Sequence, residues 1–199
     1  MTKQQELNNR LIEAVNCGKF SLCKKLINEG ANVNATWHGI PVLTLLVAKT
    51  VSVSQIKICE LLLEHGANVN AISNGGTVLM CAVGGISKPL LCELLIKYGA
   101  DVNAIDSREN SVLMYAINNA EVCGLLIKYG ANINAKNYLG QNALMWAASL
   151  GKVETCKLLV KHGVDISATD NNGLTALMWA QKNSNNNEIV KLLSNINKG

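Results

Sequence analysis

The sequence predicts an all-α fold, a solenoid in which helix–turn–helix units stack and are joined by extended polar loops. The segment Gly-Ala-Asn-Val-Asn-Ala recurs with small variations at five places along the 199-residue chain. Its glycines are 36, 33, 31 and 33 residues apart, at Gly30, Gly66, Gly99, Gly130 and Gly163. A period of this length is typical of stacked supersecondary units, each too small to bury its own apolar face.

The second helix of each unit is predicted to end at the recurring glycine. Apolar segments precede the glycines, and Lys97, Lys128 and Lys161 stand in three of the last turns. Glycine readily adopts the left-handed conformation that closes a helix, and a cation suits the negative end of the helix dipole.

A first, shorter helix is predicted to start upstream, at Thr77, Ser111, Asn142 and Thr175. The sequence Leu-Met follows two residues after each of them. Thr, Ser and Asn side chains accept hydrogen bonds from the free amides of a first helical turn. Each unit therefore reads as helix, tight turn, helix and polar loop.

The best-formed repeat covers residues 137–163, Asn-Tyr-Leu-Gly-Gln-Asn-Ala-Leu-Met-Trp-Ala-Ala-Ser-Leu-Gly-Lys-Val-Glu-Thr-Cys-Lys-Leu-Leu-Val-Lys-His-Gly, and residues 170–180 vary its first part. This pattern resembles the ankyrin repeat family over residues 6–193. The resemblance implies an ankyrin-repeat solenoid with β-hairpin-like loops, in a single domain of residues 1–199. About six units are expected, at residues 1–35, 36–71, 72–104, 105–135, 136–168 and 169–199.

The terminal units are expected to act as polar caps. Glu13 and Lys25 replace apolar residues of later units, and the stretches 183–187 and 194–197 are polar. Polar outer faces keep an open stack from polymerising. The second unit is also expected to carry a longer loop near residues 49–54, whereas the fourth is short at residues 118–120.

One departure from the family pattern concerns a histidine that links neighbouring loops in the family. Methionine occupies its place here, at Met80, Met114, Met145 and Met178. Because a thioether cannot donate a hydrogen bond, we expect apolar packing in place of that polar link.

The cysteines indicate packing rather than chemistry. Cys23, Cys59, Cys92, Cys123 and Cys156 have the same spacings as the glycines, and Val190 is predicted at that place in the last unit. The sequence has no Cys-x-x-Cys pair, and Cys17 and Cys81 follow no zinc spacing. No metal site and no cofactor are expected.

Composition and motifs argue against several function classes. The net charge is +4 and the basic residues are dispersed, so nucleic-acid binding is not expected. No segment reaches the roughly 18 apolar residues of a membrane helix. His65 and His162 precede helix-ending glycines, and no catalytic motif occurs, so the prediction is that the protein is not an enzyme.

The resemblance implies that the loops and the exposed edges of the short helices line one concave, protein-binding face. Trp37, Arg108 and Tyr138 are of the residue types that anchor interfaces. By contrast, Trp146 and Trp179 are predicted to pack in the helical core. The residues expected on the binding face are Thr36, Trp37, His38, Ile40, Ile72, Ser73, Asn74, Ile105, Ser107, Arg108, Asn110, Lys136, Tyr138, Leu139, Gln141, Thr169, Asn171, Asn172 and Leu174.

The leading functional hypothesis is a non-enzymatic protein-interaction module that works as a monomer. It is expected in the cytoplasm, or in a host cell if it is a microbial effector or adaptor. One alternative is an enzyme or small-ligand-binding protein that uses Cys17, Cys81 or His38. Another is a purely structural or engineered scaffold without a specific target.

Overall fold

The structure, a computed structural model, describes residues 2–48, 52–84, 89–183 and 186–196. Part of the predicted longer loop, residues 49–51, lies outside the described residues. So do residues 184 and 185 of the first polar stretch and residue 197 of the second.

Paired α-helices make up most of the described chain. The helices are α1 (Lys3–Asn16), α2 (Phe20–Asn28), α3 (Val42–Val47), α4 (Val53–Glu64), α5 (Val78–Val83), α6 (Pro89–Lys97), α7 (Val112–Tyr115), α8 (Ala120–Lys128), α9 (Ala143–Ser149), α10 (Val153–Lys161), α11 (Ala176–Gln181) and α12 (Asn187–Ile196). A 3-10 turn, Ala116–Asn118, extends α7. The predicted all-α helix–turn–helix fold is confirmed.

The chain divides into two compact units, residues 1–101 and 102–199. In the first unit, α1, α3 and α5 pack in succession, and α2 packs on α4. In the second, α7, α9 and α11 pack in succession, as do α8, α10 and α12. The single domain over residues 1–199 stays a prediction.

The loops of the first unit contain two short antiparallel hairpins. Strands β1 (Thr36–Trp37) and β2 (Ile40–Pro41) form one, and β3 (Ile72–Ser73) and β4 (Gly76–Thr77) form the other. In the second unit, single bridges close the equivalent loops, Ile105 with Ser111 and Thr169 with Thr175. Hairpin-like loops therefore precede the short helices in both units.

Local sequence signals place the helix ends as predicted. The side chains of Thr77, Ser111, Asn142 and Thr175 accept hydrogen bonds from the amide three residues later. The five recurring glycines have φ between 79° and 93°, so each closes a helix in the left-handed region.

Three of the four recurring methionines and the five periodic cysteines are buried. Met80, Met114 and Met145 are at most 4 % exposed, whereas Met178 is 46 % exposed. The five periodic cysteines are all 0 % exposed, as predicted. In the last repeat Val190 holds the place of the cysteines, because its amide donates to Asn186 as that of Cys156 does to Lys152, but its side chain is only partly buried.

Polar links between successive loops persist despite the methionines. The Asn34 amide donates to the carbonyl of Gly66 (3.0 Å) and accepts from the amide of Asn68 (2.7 Å). In the same unit, the Asn70 amide donates to the carbonyl of Gly99 and accepts from the amide of Asp101. In the second unit, Asn103 makes the same two bonds with Gly130 and Asn132. Apolar packing at the methionines therefore adds to a ladder of asparagine hydrogen bonds and does not replace it.

The first helix supplies the same contacts to the first recurring loop. Gln4 Nε2 donates to the carbonyl of Gly30 (2.9 Å), and Asn8 Oδ1 accepts from the amide of Asn32 (2.9 Å). Glu13 and Lys25, the residues predicted to make a polar cap, are both exposed. The cap role itself stays a prediction.

Thr44, which occupies the methionine position in α3, gives a stability prediction. Its side chain is buried, and within the described residues its hydroxyl has no hydrogen-bond partner. Thr44→Val keeps the shape and removes the unpaired group, so we expect the free energy of unfolding to rise by about 1 kcal/mol. Urea denaturation followed by circular dichroism measures the change.

Thr77→Val is the matched control, because the Thr77 hydroxyl caps α5. It should lower the free energy of unfolding by about 1 kcal/mol. Equal losses in both variants would contradict an unpaired hydroxyl at Thr44.

Candidate binding surface

The first-unit hairpins expose apolar side chains on their first strands. Trp37 is 45 % exposed and its ring meets that of His38 edge-on, with 4.9 Å between the centroids. His38 has φ 48°, a left-handed conformation that sharpens the turn. Ile72, on the next hairpin, is 69 % exposed, whereas Ser73 is buried.

Backbone hydrogen bonds hold the second-unit loops against one another. The amide of Tyr138 donates to the carbonyl of Arg108 (3.2 Å), and the amide of Asn171 donates to the carbonyl of Leu139 (2.9 Å). The Asn171 side chain adds a bond to the carbonyl of Tyr138 (3.0 Å). Tyr138 and Leu139 thus project from a backbone that is tied on both sides.

Most residues predicted on the binding face are accessible. Ile40, Gln141 and Leu174 are partly buried, while Ser73 and Asn110 are buried and unavailable to a partner. The exposed members are Thr36, Trp37, His38, Ile72, Asn74, Ile105, Ser107, Arg108, Lys136, Tyr138, Leu139, Thr169, Asn171 and Asn172.

The prediction that Trp146 and Trp179 pack in the core is wrong. Both are only partly buried, on the short helices α9 and α11 beside the loops. Tyr115 occupies the same register position on α7, and its ring meets that of Trp146 edge-on at 6.4 Å between centroids. We call these three residues the aromatic column. All three aromatic residues follow directly after Leu-Met in three successive repeats, and this recurrence was the sequence signal that could have identified the column.

Each member of the aromatic column is hydrogen-bonded to its own loop. The Tyr115 hydroxyl donates to Asp106, and the Trp146 Nε1 donates to Gln141 Oε1 (3.0 Å). The Trp179 Nε1 donates to Asp170 Oδ2 (3.1 Å). The polar ring atoms are therefore satisfied inside the protein, and the ring faces are left for contacts.

Buried amides connect the first two loops of this unit. Asn137 Nδ2 donates to Asn110 Oδ1 (2.9 Å) and reaches Gln141 Oε1 (3.4 Å). Asn110 in turn donates to Asp106 Oδ2 (3.0 Å). A continuous side-chain network thus links Tyr115 to Trp146 and fixes the orientation of both rings.

The two loop aspartates stay ionised because the loops donate to them. Burial alone would raise the pKa of Asp106, but hydrogen bonds from Tyr115, Asn110 and Arg108 outweigh it and lower the pKa. At Asp170 burial is likewise outweighed, by the amides of Leu174 and Asn172 and the Trp179 indole. The Asp106 bond also raises the pKa of Tyr115, which keeps the hydroxyl a donor.

A cleft opens between two members of the aromatic column. It has a volume of about 220 Å³ and is lined by Gln141, Met145, Trp146, Ser149, Leu150 and Trp179. Leu150, at the end of α9, is 57 % exposed at its rim. The Lys182 ammonium lies 4.2 Å from the Trp179 ring centroid.

The residues considered for chemistry are separate from one another. Within the described residues, no three His, Cys, Asp or Glu side chains come together as a metal site. Cys17 is exposed, Cys81 is half-buried, and His65 Nδ1 donates a hydrogen bond to the carbonyl of Leu61 (2.9 Å). In the same part of the chain, every helix is too short or too polar to cross a bilayer.

The cysteines give a reactivity prediction. Burial raises the pKa of Cys59, Cys123 and Cys156 to about 12 and that of Cys23 to about 11. Because the thiolate is the reactive form, an aromatic disulfide reagent at pH 8 should label Cys17 fast, the half-buried Cys81, whose pKa burial also raises, more slowly, and the buried thiols only as the protein unfolds. Stopped-flow absorbance resolves the phases, and urea-unfolded protein gives the full count. Fast labelling of the Cys17→Ser variant would contradict this assignment.

Comparison with known proteins bears on the whole repeat array. The chain has no significant match among curated protein sequences. A family model described as "Ankyrin repeats (3 copies)" matches residues 11–106, 54–137 and 113–199. Together these overlapping matches cover nearly all of the chain, so it belongs to the ankyrin repeat family.

Proposed function

We propose that the chain is a non-enzymatic module that binds a protein partner through its hairpin loops and the adjoining edges of its short helices. Ankyrin repeats generally mediate protein–protein interactions and are typically non-enzymatic. In arrays of this family these elements line the concave face. In this proposal the protein acts as a monomer in the cytoplasm, or in a host cell as a microbial effector or adaptor. It binds neither nucleic acid nor membranes.

The observation that carries the proposal is the exposure of apolar side chains on the loops of each unit. In the first unit Trp37 and Ile72 are 45 and 69 % exposed, and in the second unit Ile105, Tyr138 and Leu139 are between 41 and 57 % exposed. Apolar side chains that are exposed together mark interaction sites more often than isolated ones do.

The fixed backbone of these loops also favours binding. Loop residues that already hold one conformation lose less entropy when a partner docks. Hydrogen bonds between successive loops hold Tyr138 and Leu139 in this way in the free protein.

Affinity capture with mass spectrometry tests the proposal. The variant with Trp37→Ala, Arg108→Ala and Tyr138→Ala should lose the partners that the unchanged protein captures, because it removes three expected anchors. Leu90→Ala, Tyr98→Ala and Lys161→Ala form the matched control, since these exposed residues lie on or just after the second helices α6 and α10. Unchanged capture by the loop variant would overturn the proposed face.

A further inference from the structure

We propose, building on the proposed function, that the outer edge of the loop 170–174 binds an extended segment of the partner that carries an asparagine. The segment adds one more member to the hydrogen-bonded row of loops in the second unit. The bonds between these loops, the exposure of the edge and the space beside Gly173 each support this partner chemistry.

Hydrogen bonds between the loops of the second unit follow one register. The loops are residues 106–110, 137–141 and 170–174. The amide of Tyr138 donates to the carbonyl of Arg108, and the amide of Asn171 donates to the carbonyl of Leu139. Each donor is the second residue of its loop, and each acceptor is the third residue of the loop before it. The next acceptor in this register is the carbonyl of Asn172.

The outer edge of the loop 170–174 has two unused acceptors. Within the described residues, the carbonyls of Asn171 and Asn172 accept no hydrogen bond. One loop earlier, the equivalent carbonyls of Tyr138 and Leu139 both accept from Asn171, through its side-chain amide at 3.0 Å and its backbone amide at 2.9 Å. Unpaired backbone groups along such an edge are a template for an added extended segment.

This edge is also more accessible than the equivalent edge one loop earlier. Gly140 and Met145 are buried, whereas their equivalents Gly173 and Met178 are exposed. Met145 is covered because α11 packs on α9 and the loop 170–174 lies against the loop before it. Since no further repeat loop follows in the described part of the chain, the edge at Gly173 is open to a partner.

The space beside Gly173 has the shape of an asparagine in an extended segment. A Cβ at Gly140 would lie 2.5 Å from the side-chain oxygen of Asn171 and 2.9 Å from its backbone nitrogen, so Asn171 lies directly against Gly140. Gly173 has almost the same conformation, with φ 74° against 75°, but among the described residues no atom lies within 4 Å of a Cβ placed there. A partner asparagine therefore fits Gly173 as Asn171 fits Gly140.

An asparagine in this position satisfies both unused acceptors. Its backbone amide donates to the carbonyl of Asn172, and its side-chain amide donates to the carbonyl of Asn171. Aspartate has a similar shape but lacks the side-chain donor, and its charge would face a carbonyl oxygen. The edge therefore selects asparagine over aspartate.

Titration of the isotope-labelled protein with synthetic peptides, followed by NMR, tests the inference. The probe is a capped peptide with the sequence of residues 168–175, Ala-Thr-Asp-Asn-Asn-Gly-Leu-Thr, because this segment already docks on the loop before it. Docking should shift the amide signal of Gly173, since that amide shares its peptide group with the carbonyl of Asn172.

Two matched peptides change only the residue that corresponds to Asn171. One carries aspartate there, and the other carries an asparagine that is methylated on its backbone nitrogen. Each change removes one of the two donors, so each peptide should bind at least about tenfold more weakly than the probe. All three peptides are compared on the unchanged protein, so this result does not depend on the folding of a variant.

Two neighbouring positions offer matched protein variants. Gly173→Ala places a Cβ where the asparagine docks, so it should weaken binding of the probe by at least about tenfold. Asn172→Ala removes an exposed side chain but keeps the backbone carbonyl, and it should bind as the unchanged protein does. Circular dichroism verifies that both variants are folded.

Several outcomes would overturn the inference. They are equal binding of either matched peptide, equal binding by Gly173→Ala, or no shift of the Gly173 signal at the highest soluble concentration of the probe. A Gly173 signal that moves with protein concentration alone would mean that a second copy of the chain covers the edge, which also contradicts the proposal.

The proposed function has its own readout. If the variant with Trp37→Ala, Arg108→Ala and Tyr138→Ala loses its captured partners but no peptide docks at Gly173, only the inference fails. Unchanged capture by that variant means that the proposed function fails, whatever the peptides do.

Discussion

Gly140→Ala is expected to destabilise the second unit by about 3 kcal/mol or more, through backbone strain and steric overlap together. Gly140 has φ 75°, a region that disfavours any residue with a Cβ atom. A Cβ at this position would lie 2.5 Å from Asn171 Oδ1 and 2.9 Å from the backbone nitrogen of Asn171. The side-chain oxygen could rotate away, but the backbone nitrogen is held by its hydrogen bond to Leu139.

Gly173 is the matched control at the equivalent place in the next loop. It has φ 74°, but a Cβ there would meet no atom within 4 Å. Gly173→Ala therefore carries only the left-handed conformational cost, about 1 kcal/mol.

Urea denaturation monitored by circular dichroism and by tryptophan fluorescence compares the two glycine variants. Because Gly140 and Gly173 have the same backbone conformation, the difference between the two losses of stability measures the cost of steric overlap between the loops at Gly140. Equal losses would mean that Asn171 moves aside freely and that the loops are not held together.

Periodicity explains why much of the fold could be predicted from the sequence. Helix ends depend on local chemistry. Gly130 ends a helix and Thr77 begins one through contacts with residues only a few positions away in the sequence. The periodic cysteines could also be placed, because a position that recurs with the repeat faces the same surroundings in each unit. Cys123, for example, is fully buried.

The candidate site was harder to predict because exposure within one turn of a helix depends on tertiary neighbours. Trp146 and Met145 are adjacent in sequence and both apolar, yet Met145 is 1 % exposed and Trp146 lines the cleft. Asn110 looked like a loop residue available to a partner, but its amide is buried against Asn137 of the next loop. Contacts across about 30 residues of chain decide both cases, and a single repeat does not contain them.

Asn137→Ala is the second substitution with a large expected effect, because Asn137 combines a loop-forming role with a link between loops. Its Oδ1 accepts from the amides of Leu139 and Gln141, both at 3.0 Å, and its Nδ2 donates to Asn110 Oδ1. The residue is 5 % exposed, and its loss leaves one buried and two part-buried polar groups without this partner. Each such group costs about 1–3 kcal/mol, and we expect a total loss near 3 kcal/mol.

Asn137→Asp separates the two roles. Asp106 and Asp170 hold the equivalent places in the neighbouring loops and accept the same pattern of amides, so an aspartate should keep the loop formed. It cannot donate to Asn110, and we expect an intermediate loss of about 1–2 kcal/mol. Asn172→Ala, at an exposed asparagine of the next loop, is the control and should change stability by less than about 0.5 kcal/mol. In urea denaturation, a loss of stability that is largest for Asn137→Ala, intermediate for Asn137→Asp and smallest for Asn172→Ala would establish a buried link between loops. Equal stability of the Asp variant and the unchanged protein would show that the Asn110 bond contributes nothing.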